Sequence, residues 1–513
     1  MVATLHTPLE AARWLRARVR GALHADSRAV GAGDGFVAWP GAATDGRQHV
    51  AQALAHGAVA CLVEAQGAEA FGFEGDAIAQ YAGLKAATGP IAAAYYDPPS
   101  QHLDVLAVTG TNGKTSTAWW LAEALTGLPP HASAHRQGPC ALVGTLGVGT
   151  PPELTYTGLT TPDPVLLQRY LRDFVGRGFG ACAVEASSIG IVERRLDGLD
   201  IRVAVFTNFT QDHLDYHGSM DAYWEAKAEL FRWPGLRAAV INIDDLHGAA
   251  LAAELAAQQQ AAGGDALDLW TVSAAGAPAR LSARDVGYDS NGLRFTAVEQ
   301  GTGTSAPAPR TLATSLIGQY NAANLLGVLG TLRALGLTLA QAVSACAELS
   351  SVPGRMEQVS LNGQPLVVVD YAHTPDALDK ALAGLRPLAQ QRGGRLWCLF
   401  GCGGDRDPVK RPLMGAVAEK NADAVLVTSD NPRSEKPGAI ISQILAGFAS
   451  PHAAQVEPDR ARAILDIVAQ AAPQDVVLLA GRGHEAWQEV AGQRIAFSDR
   501  THAADALAAR SRA

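Results

Sequence analysis

The stretch Leu103-Asp104-Val105-Leu106-Ala107-Val108-Thr109-Gly110-Thr111-Asn112-Gly113-Lys114-Thr115-Ser116 joins a short apolar run to a glycine-bearing turn that closes on Lys-Thr. Residues 103–109 read as a strand and 115–125 as a helix, with the turn between them. Gly110 and Gly113 let the backbone wrap a polyphosphate, with amide N–H groups and the helix N-terminus facing its charge. Lys114 is then placed for the β and γ phosphates, and the Thr115 hydroxyl for a magnesium ion. The strict phosphate-loop pattern has a further glycine where this chain has Val108. A turn that merely starts a helix explains the glycines but not the Lys-Thr pair at the helix start. The loop specifies a nucleotide and leaves the reaction open.

Comparable apolar runs recur at 181–185, 202–207, 238–243, 366–370, 396–401, 424–428 and 476–480. They alternate with Ala/Leu-rich helical segments, which predicts an α/β protein with parallel sheets. Chemistry is then expected at the carboxyl ends of the strands. Two breaks read as boundaries, Tyr96-Asp97-Pro98-Pro99-Ser100 and Ser351-Val352-Pro353-Gly354. They divide the chain into 1–99, 100–352 and 353–513, in keeping with about 100–200 residues per domain. The Pro/Gly-rich stretches 128–139 and 301–310 read as surface excursions, and the Ala/Gln stretch 249–262 as an exposed helix without chemistry.

Of 513 residues, 48% are apolar and 18% charged, so a buried core is expected and wholesale disorder is not. Fifty acidic against 41 basic residues leave a net charge of -9, with no long basic run, which argues against a nucleic-acid partner. Cys61, Cys140, Cys182, Cys346, Cys398 and Cys402 form no C-x-x-C pair and read as reduced thiols of a cytosolic protein. No secretion signal and no membrane span is expected.

Glu185 closes the run 181–185 and can ligate a metal. After the run 202–207 comes Asn208-Phe209-Thr210-Gln211-Asp212-His213-Leu214-Asp215-Tyr216-His217-Gly218, and then Tyr223-Trp224-Glu225-Ala226-Lys227 at helical spacing. Any one of these taken alone reads as a loop cap, and Lys227 as a surface helix lysine. Magnesium prefers oxygen ligands, so a histidine ligand is unusual.

GTNGKTS, EASS, TNFTQDHLDYHG, EAKAELF, GQYNAANLL, GRME, DYAHTPDAL, GCGGDRD and GRGHE stand in this order along essentially the whole chain. In that order they resemble the Mur ligases, and among them the branch that extends UDP-N-acetylmuramoyl-L-alanyl-D-glutamate. The resemblance implies a smaller α/β N-terminal domain for the UDP end of that substrate, a central P-loop parallel-sheet ATPase domain, and a Rossmann-like C-terminal domain that brings the amino acid. By the same resemblance Gly110, Thr111, Asn112, Gly113, Lys114, Thr115 and Ser116 hold ATP, together with Asn321, Asn324, Arg355 and Asp370. Thr115, Glu185 and His213 are implied as Mg2+ ligands, and Lys227 as an N6-carboxylated lysine, an anion in place of a cation. Ser27, Thr160, Thr161, Ser187, Glu193, Arg195 and Lys227 match contacts to the UDP-muramoyl dipeptide. Arg406, Asp430, Asn431, Pro432, Arg433, Gly481 and Glu485 match contacts to the amino acid.

Asp430-Asn431-Pro432-Arg433 resembles the signature of the members that add meso-diaminopimelate, whereas lysine-adding members lack the arginine. The chemical reason is direct: meso-diaminopimelate is lysine with one more carboxylate, and a guanidinium can clamp that group with two bonds. The family reaction phosphorylates a substrate carboxylate with ATP and lets an amine displace the phosphate. The expected partners are these small molecules, acting on a cytoplasmic monomer. Lysine-adding members, ligases of the next step, folylpolyglutamate synthetases and a nucleotide-gated scaffold are the competing readings. Departures from the family pattern fall at Ala25, 42–44, Leu159, Ile189, Glu193 and Arg482, the last replacing a lysine.

Overall fold

A computed structural model describes residues 2–41, 44–129, 137–262, 267–289, 292–301 and 307–511. Parts of the expected excursions 128–139 and 301–310, and of the departure at 42–44, lie outside the described residues. Backbone proximity divides the chain into two units. The first holds 1–272, 279–281 and 327–345; the second holds 273–278, 282–326 and 346–513.

The first unit begins with β1 (Ala3–Leu5), β2 (Leu23–His24), β3 (Gly35–Ala38), β4 (Ala60–Glu64) and β5 (Ile78–Tyr81), a parallel sheet in the order β1-β5-β4-β3-β2. Helix α1 (Leu84–Tyr95) follows. Its Gly89 faces the backbone carbonyl of Asp197, where a Cβ would stand only 2.0 Å from that oxygen.

The larger sheet of this unit contains β6 (Asp104–Thr109), β7 (Cys140–Gly144), β8 (Gly147–Thr150), β9 (Glu153–Thr155), β10 (Ala181–Glu185), β11 (Ile201–Phe206), β12 (Ala238–Asn242) and β13 (Asp268–Ser273). Their order is β13-β12-β11-β6-β10-β7-β8-β9. From β13 to β7 every pairing is parallel, with β6 buried on both faces. β7, β8 and β9 turn antiparallel, a feature the alternation of runs does not predict. Helix α2 (Lys114–Thr126) leaves the loop after β6, α3 (Met220–Ala228) follows β11, and α4 (Leu246–Ala262) follows β12. Helix α4 corrects the expectation of a wholly exposed helix: Leu251, Ala252 and Leu255 are buried in the apolar core against β11 and β12. Alanine-rich sequence hides that stripe because small side chains blur the contrast between faces.

In the second unit β14 (Leu281–Tyr288), β15 (Leu293–Glu299) and β16 (Arg310–Ala313) run side by side, with β15 and β16 antiparallel. A further sheet has β17 (Glu357–Val359), β18 (Leu366–Asp370), β19 (Leu396–Phe400), β20 (Ala424–Val427), β21 (Gln455–Val456) and β22 (Val476–Ala480) in the order β17-β18-β22-β19-β20-β21. All its pairings are parallel except β17 with β18. A hairpin of β23 (Trp487–Val490) and β24 (Gln493–Ala496) stands beside it in the chain. Apolar clusters cover both faces of this sheet, as continuous Val/Leu/Ile strands require. All six cysteines are free and buried. Among the described residues no helix is long and apolar enough to cross a membrane.

Candidate active site

In the first unit the loop 110–116 lies at the carboxyl end of β6, between the carboxyl ends of β10 and β11. Gly110 has φ +144, and a Cβ there would stand 1.9 Å from Thr207 Oγ1, so no other residue fits. Asn208 braces the turn. Its Oδ1 accepts from Asn112 N at 3.0 Å and its Nδ2 donates to Asn112 O at 3.0 Å. Thr111 N donates to Asn208 O at 2.8 Å. Lys114 Nζ donates to the carbonyls of Gly110 (2.8 Å) and Thr111 (2.9 Å).

Beside the loop, the buried Glu185 carboxylate accepts from Thr115 Oγ1 at 2.9 Å and from Thr145 N at 2.8 Å and Oγ1 at 3.1 Å. Thr145 also meets the Thr160 hydroxyl at 3.0 Å. Thr161 donates to Glu185 O at 2.7 Å and meets Ser187 Oγ at 2.9 Å, while Arg195 donates to Thr161 O at 3.0 Å. The hydroxyls at 160, 161 and 187 and the Arg195 guanidinium thus form one cluster with Glu185. Glu193 is engaged elsewhere: one oxygen pairs with Lys85 of α1 at 2.8 Å and the other accepts from Tyr216 at 2.5 Å. Ser27 is buried in a short turn capped by Asp26.

Lys227, on α3, is 1% exposed, which overturns the surface reading that its spacing alone favours. Its Nζ donates to Gly110 O at 2.8 Å and lies 4.4 Å from the Tyr223 ring centre. Burial, and then the charge of Lys114, hold its ammonium well below the usual lysine range. His213 has a left-handed backbone (φ 52), and its Nε2 lies 3.5 Å from Asp212 Oδ2. Burial pushes its pKa down. Among the described residues no group of three His, Cys, Asp or Glu side chains is placed to hold a metal ion. The oxygen pair Thr115–Glu185 is what the loop offers a hard cation.

In the second unit, Asn321 donates to Ile317 O at 2.7 Å and accepts from Asn324 at 2.9 Å, at the start of the helix Asn321–Ala334. Asp370, at the end of β18, accepts from Met356 N and Ala372 N, both at 2.8 Å. Burial raises its carboxyl, with Arg355 opposing. The Arg355 guanidinium lies 4.4 Å from the Tyr371 ring centre.

The loops after β19, β20 and β22 converge. Gly481 has φ +111, and a Cβ on it would stand 2.6 Å from Asp430 Oδ2. Asn431 Nδ2 donates to Glu485 Oε2 at 2.8 Å. Arg433 donates from Nη1 to Gly404 O at 2.6 Å, and its backbone pairs with β23 through Glu489 O at 3.0 Å. The Glu485 carboxyl is raised by burial and by Asp430, against Arg482, Asn431 and Arg433. Arg406 is exposed on the loop after β19, and Pro432 O accepts from Glu435 N at 3.0 Å.

Three family models match the chain: "Mur ligase family, catalytic domain" over residues 22–95, "Mur ligase middle domain" over 108–332 and "Mur ligase, glutamate ligase domain" over 354–483. A UDP-N-acetylmuramoyl-L-alanyl-D-glutamate--2,6-diaminopimelate ligase from Acidovorax sp. (strain JS42) is 60% identical over 507 residues, covering 99% of this chain and 98% of that one. The chain belongs to the Mur ligase family. A Mur ligase of the same name from Pseudomonas aeruginosa is 45% identical over 485 residues, covering 94% of each chain. A solved structure with that name superposes with a TM-score of 0.65 at 34% identity, covering 96% of this chain and 95% of the other. The MurF ligase from Thermotoga maritima in complex with ADP shares the Mur ligase fold, with a TM-score of 0.61 at 18% identity over 96% of this chain and 98% of that one.

Reading the Mur ligase motifs missed three side chains that the geometry brings in. Thr145 faces Glu185, Asn208 braces the phosphate loop, and Tyr223 meets Thr111 Oγ1 at 3.2 Å. Thr145 and Asn208 follow the carboxyl ends of β7 and β11, the one positional signal available for them.

Proposed function

We propose that the chain is an ATP-dependent ligase that joins meso-2,6-diaminopimelate to UDP-N-acetylmuramoyl-L-alanyl-D-glutamate, a step of peptidoglycan precursor synthesis. The observation that carries the choice of amine is the arrangement of Arg433 with Glu485. A guanidinium held by the Gly404 carbonyl and a half-buried carboxylate held by Asn431 suit a substrate bearing both carboxylate and ammonium groups. The relatives named as diaminopimelate ligases support the same reading.

In the reaction the γ-phosphoryl group of ATP passes to the side-chain carboxylate of the D-glutamate, giving an acyl phosphate and ADP. The amine of diaminopimelate attacks the acyl carbon, loses a proton, and inorganic phosphate leaves. Phosphoryl transfer asks for positioning and charge neutralisation more than for a covalent catalyst. The amide groups of 110–116 and the start of α2 hold the polyphosphate, and Lys114 balances its charge. Thr115 and Glu185, hard oxygen donors 2.9 Å apart, fit Mg2+, with His213 as the further ligand. Mg2+, when bound there, supplies positive charge to the phosphate oxygens. Asn321, Asn324, Arg355 and Asp370 serve the nucleotide; Ser27, Thr160, Thr161, Ser187, Glu193 and Arg195 serve the muramoyl dipeptide; Arg406, Asp430, Asn431, Pro432, Arg433, Gly481 and Glu485 serve the amine. Lys227 acts as a carbamate. The three domains divide at 99 and 352, and the enzyme works as a cytoplasmic monomer.

The test is ADP formation with the muramoyl dipeptide fixed and the amine varied. Meso-diaminopimelate should drive turnover and L-lysine should not. Equal turnover with both, or none with any amine, overturns the proposal.

A further inference from the structure

Arg482 is fully buried at the head of the loop after β22. Its guanidinium has an unusual set of neighbours. Nη1 donates to Asn431 Oδ1 at 2.8 Å and lies 3.5 Å from Glu485 Oε2 and 3.7 Å from Asp430 Oδ1. Nη2 donates to the backbone carbonyl of Trp487, the first residue of β23. The Phe497 ring centre lies 5.3 Å from its Cζ.

These contacts settle which way Asn431 points. A guanidinium only donates, so the atom of Asn431 that faces it must be the oxygen. Glu489 N donates to the same oxygen at 2.8 Å. The amide nitrogen is thereby turned onto Glu485, to which it donates at 2.8 Å. The second arm of the fork fixes β23. That strand carries Glu489, whose carbonyl accepts from Arg433 N at 3.0 Å, while Ala491 N donates to Arg433 O at 2.8 Å. One side chain therefore sets both ends of the proposed amine pocket, Glu485 through Asn431 and Arg433 through the hairpin. A lysine ammonium has no planar fork and cannot hold the amide oxygen and the 487 carbonyl in one rigid geometry.

We propose that Arg482 is a positioning residue for the amine substrate, orienting Asn431 and the β23–β24 hairpin so that Glu485 and Arg433 face the amino acid. This rests on the proposed assignment of that pocket to the amine. Arg482 itself need not touch substrate.

The experiment is steady-state kinetics of Arg482→Lys and Asn431→Asp in the full-length enzyme, with thermal melts alongside. Wild type is first assayed with meso-diaminopimelate. If it does not turn over that amine, the functional reading fails, and the variants are then compared on whichever amine it does use. For Arg482→Lys, KM for the amine should rise about tenfold or more, while KM for ATP and kcat stay within about twofold. Asn431→Asp sets an oxygen against Glu485 and should raise the same KM without involving the arginine's own packing. A folded Arg482→Lys with an unchanged amine KM overturns the proposal, as does a parallel rise in the KM for ATP. Should Arg482→Lys fail to fold, an unchanged amine KM in Asn431→Asp overturns it alone.

Discussion

Lys114 and Lys227 aim their ammonium groups at one acceptor, the carbonyl oxygen of Gly110, each at 2.8 Å. One comes from the first turn of α2 and the other from α3, more than a hundred residues later in the chain. Two cations on a single carbonyl repel, and Lys227 is the buried partner. Its charged form is therefore the one that gives way, pushed down by burial first and by Lys114 second. A neutral amine beside a cation is the reactive form for addition to carbon dioxide. On the proposed carboxylation of Lys227, the nitrogen would attack the carbon, a proton would leave, and an anionic carbamate would face Lys114. The shared carbonyl of Gly110 is the observation that supports the proposed carbamate at Lys227.

Replacing Lys227 by Ala is expected to lower kcat at least about a hundredfold, on the scale of losing a preorganised charged group. Short carboxylic acids or bicarbonate should restore part of the activity to the variant. Full loss without any rescue would argue against the carbamate. Stability should move the other way. The folded pKa of Lys227 lies below the unfolded value, so protonation favours the unfolded chain and costs the folded one stability below the unfolded pKa. That penalty disappears as pH rises toward the unfolded value near 10.5. Lys227→Met should thus melt above the wild type at pH 7 when both are kept free of carbon dioxide, and the gap should narrow at high pH.

Thr115→Ala removes one of the two oxygen donors beside the phosphates and leaves the Glu185 carboxylate with Thr145. Its half-saturating Mg2+ concentration should rise about tenfold or more, the usual range for losing support at a metal site. The amine KM should hardly change. Titration of activity with Mg2+ at saturating ATP distinguishes this from a general loss of folding, which lowers the plateau without moving the midpoint.

Much of this was legible because it is local. The β6–loop–α2 unit and the runs that became β10, β18 and β22 are written in consecutive residues, where strand and helix periodicity decide. The antiparallel turn of β7 to β9 is not, since strand direction depends on what the chain does between runs. Lys227 carried no mark of burial: the carbonyl and ring that enclose it come from Gly110 and Tyr223. Arg482 stood out only as a departure, and its meaning lies in Asn431 and Trp487, which the fold brings to it. Glu193 stood out in the same way, and Lys85 and Tyr216 explain the acid there.

Asp197 offers a test of the fold that does not depend on the reaction. Burial, with Glu229 adding to it and Arg194 opposing, raises its carboxyl from 3.8 to about 6. Between those values the folded chain holds a proton that the unfolded chain has lost, so stability falls as pH rises from about 4 to 6 and then levels. Asp197→Asn removes the penalty. Allowing for partial solvent screening, the variant should gain about 1 kcal/mol at pH 7.5 and little or nothing at pH 4. Denaturant melts at the two pH values read the difference; an equal gain at both would show that the charge is not its source.

Arg433 is the sharpest test of which amine is used. It holds a left-handed backbone at φ 50, pinned between Glu489 O and Ala491 N, so the direction in which its side chain leaves is fixed by β23. Its Nη1 is spent on Gly404 O, and its Nε lies 3.6 Å from Glu489 Oε2, which leaves Nη2 and the plane of the guanidinium for a ligand carboxylate. Arg433→Lys keeps the charge and loses the fork. Meso-diaminopimelate differs from L-lysine by the one carboxylate such a fork would grip, so the two amines should respond differently. KM for meso-diaminopimelate should rise about a hundredfold, the scale of leaving a built polar contact unmade, with KM for ATP within about twofold. Any weak turnover with L-lysine should be unaffected, because that amine never used the contact. If the variant loses ATP and amine affinity together, Arg433 is holding the loop between β20 and the hairpin rather than reading the substrate, and the choice of amine must lie with Asn431 and Glu485.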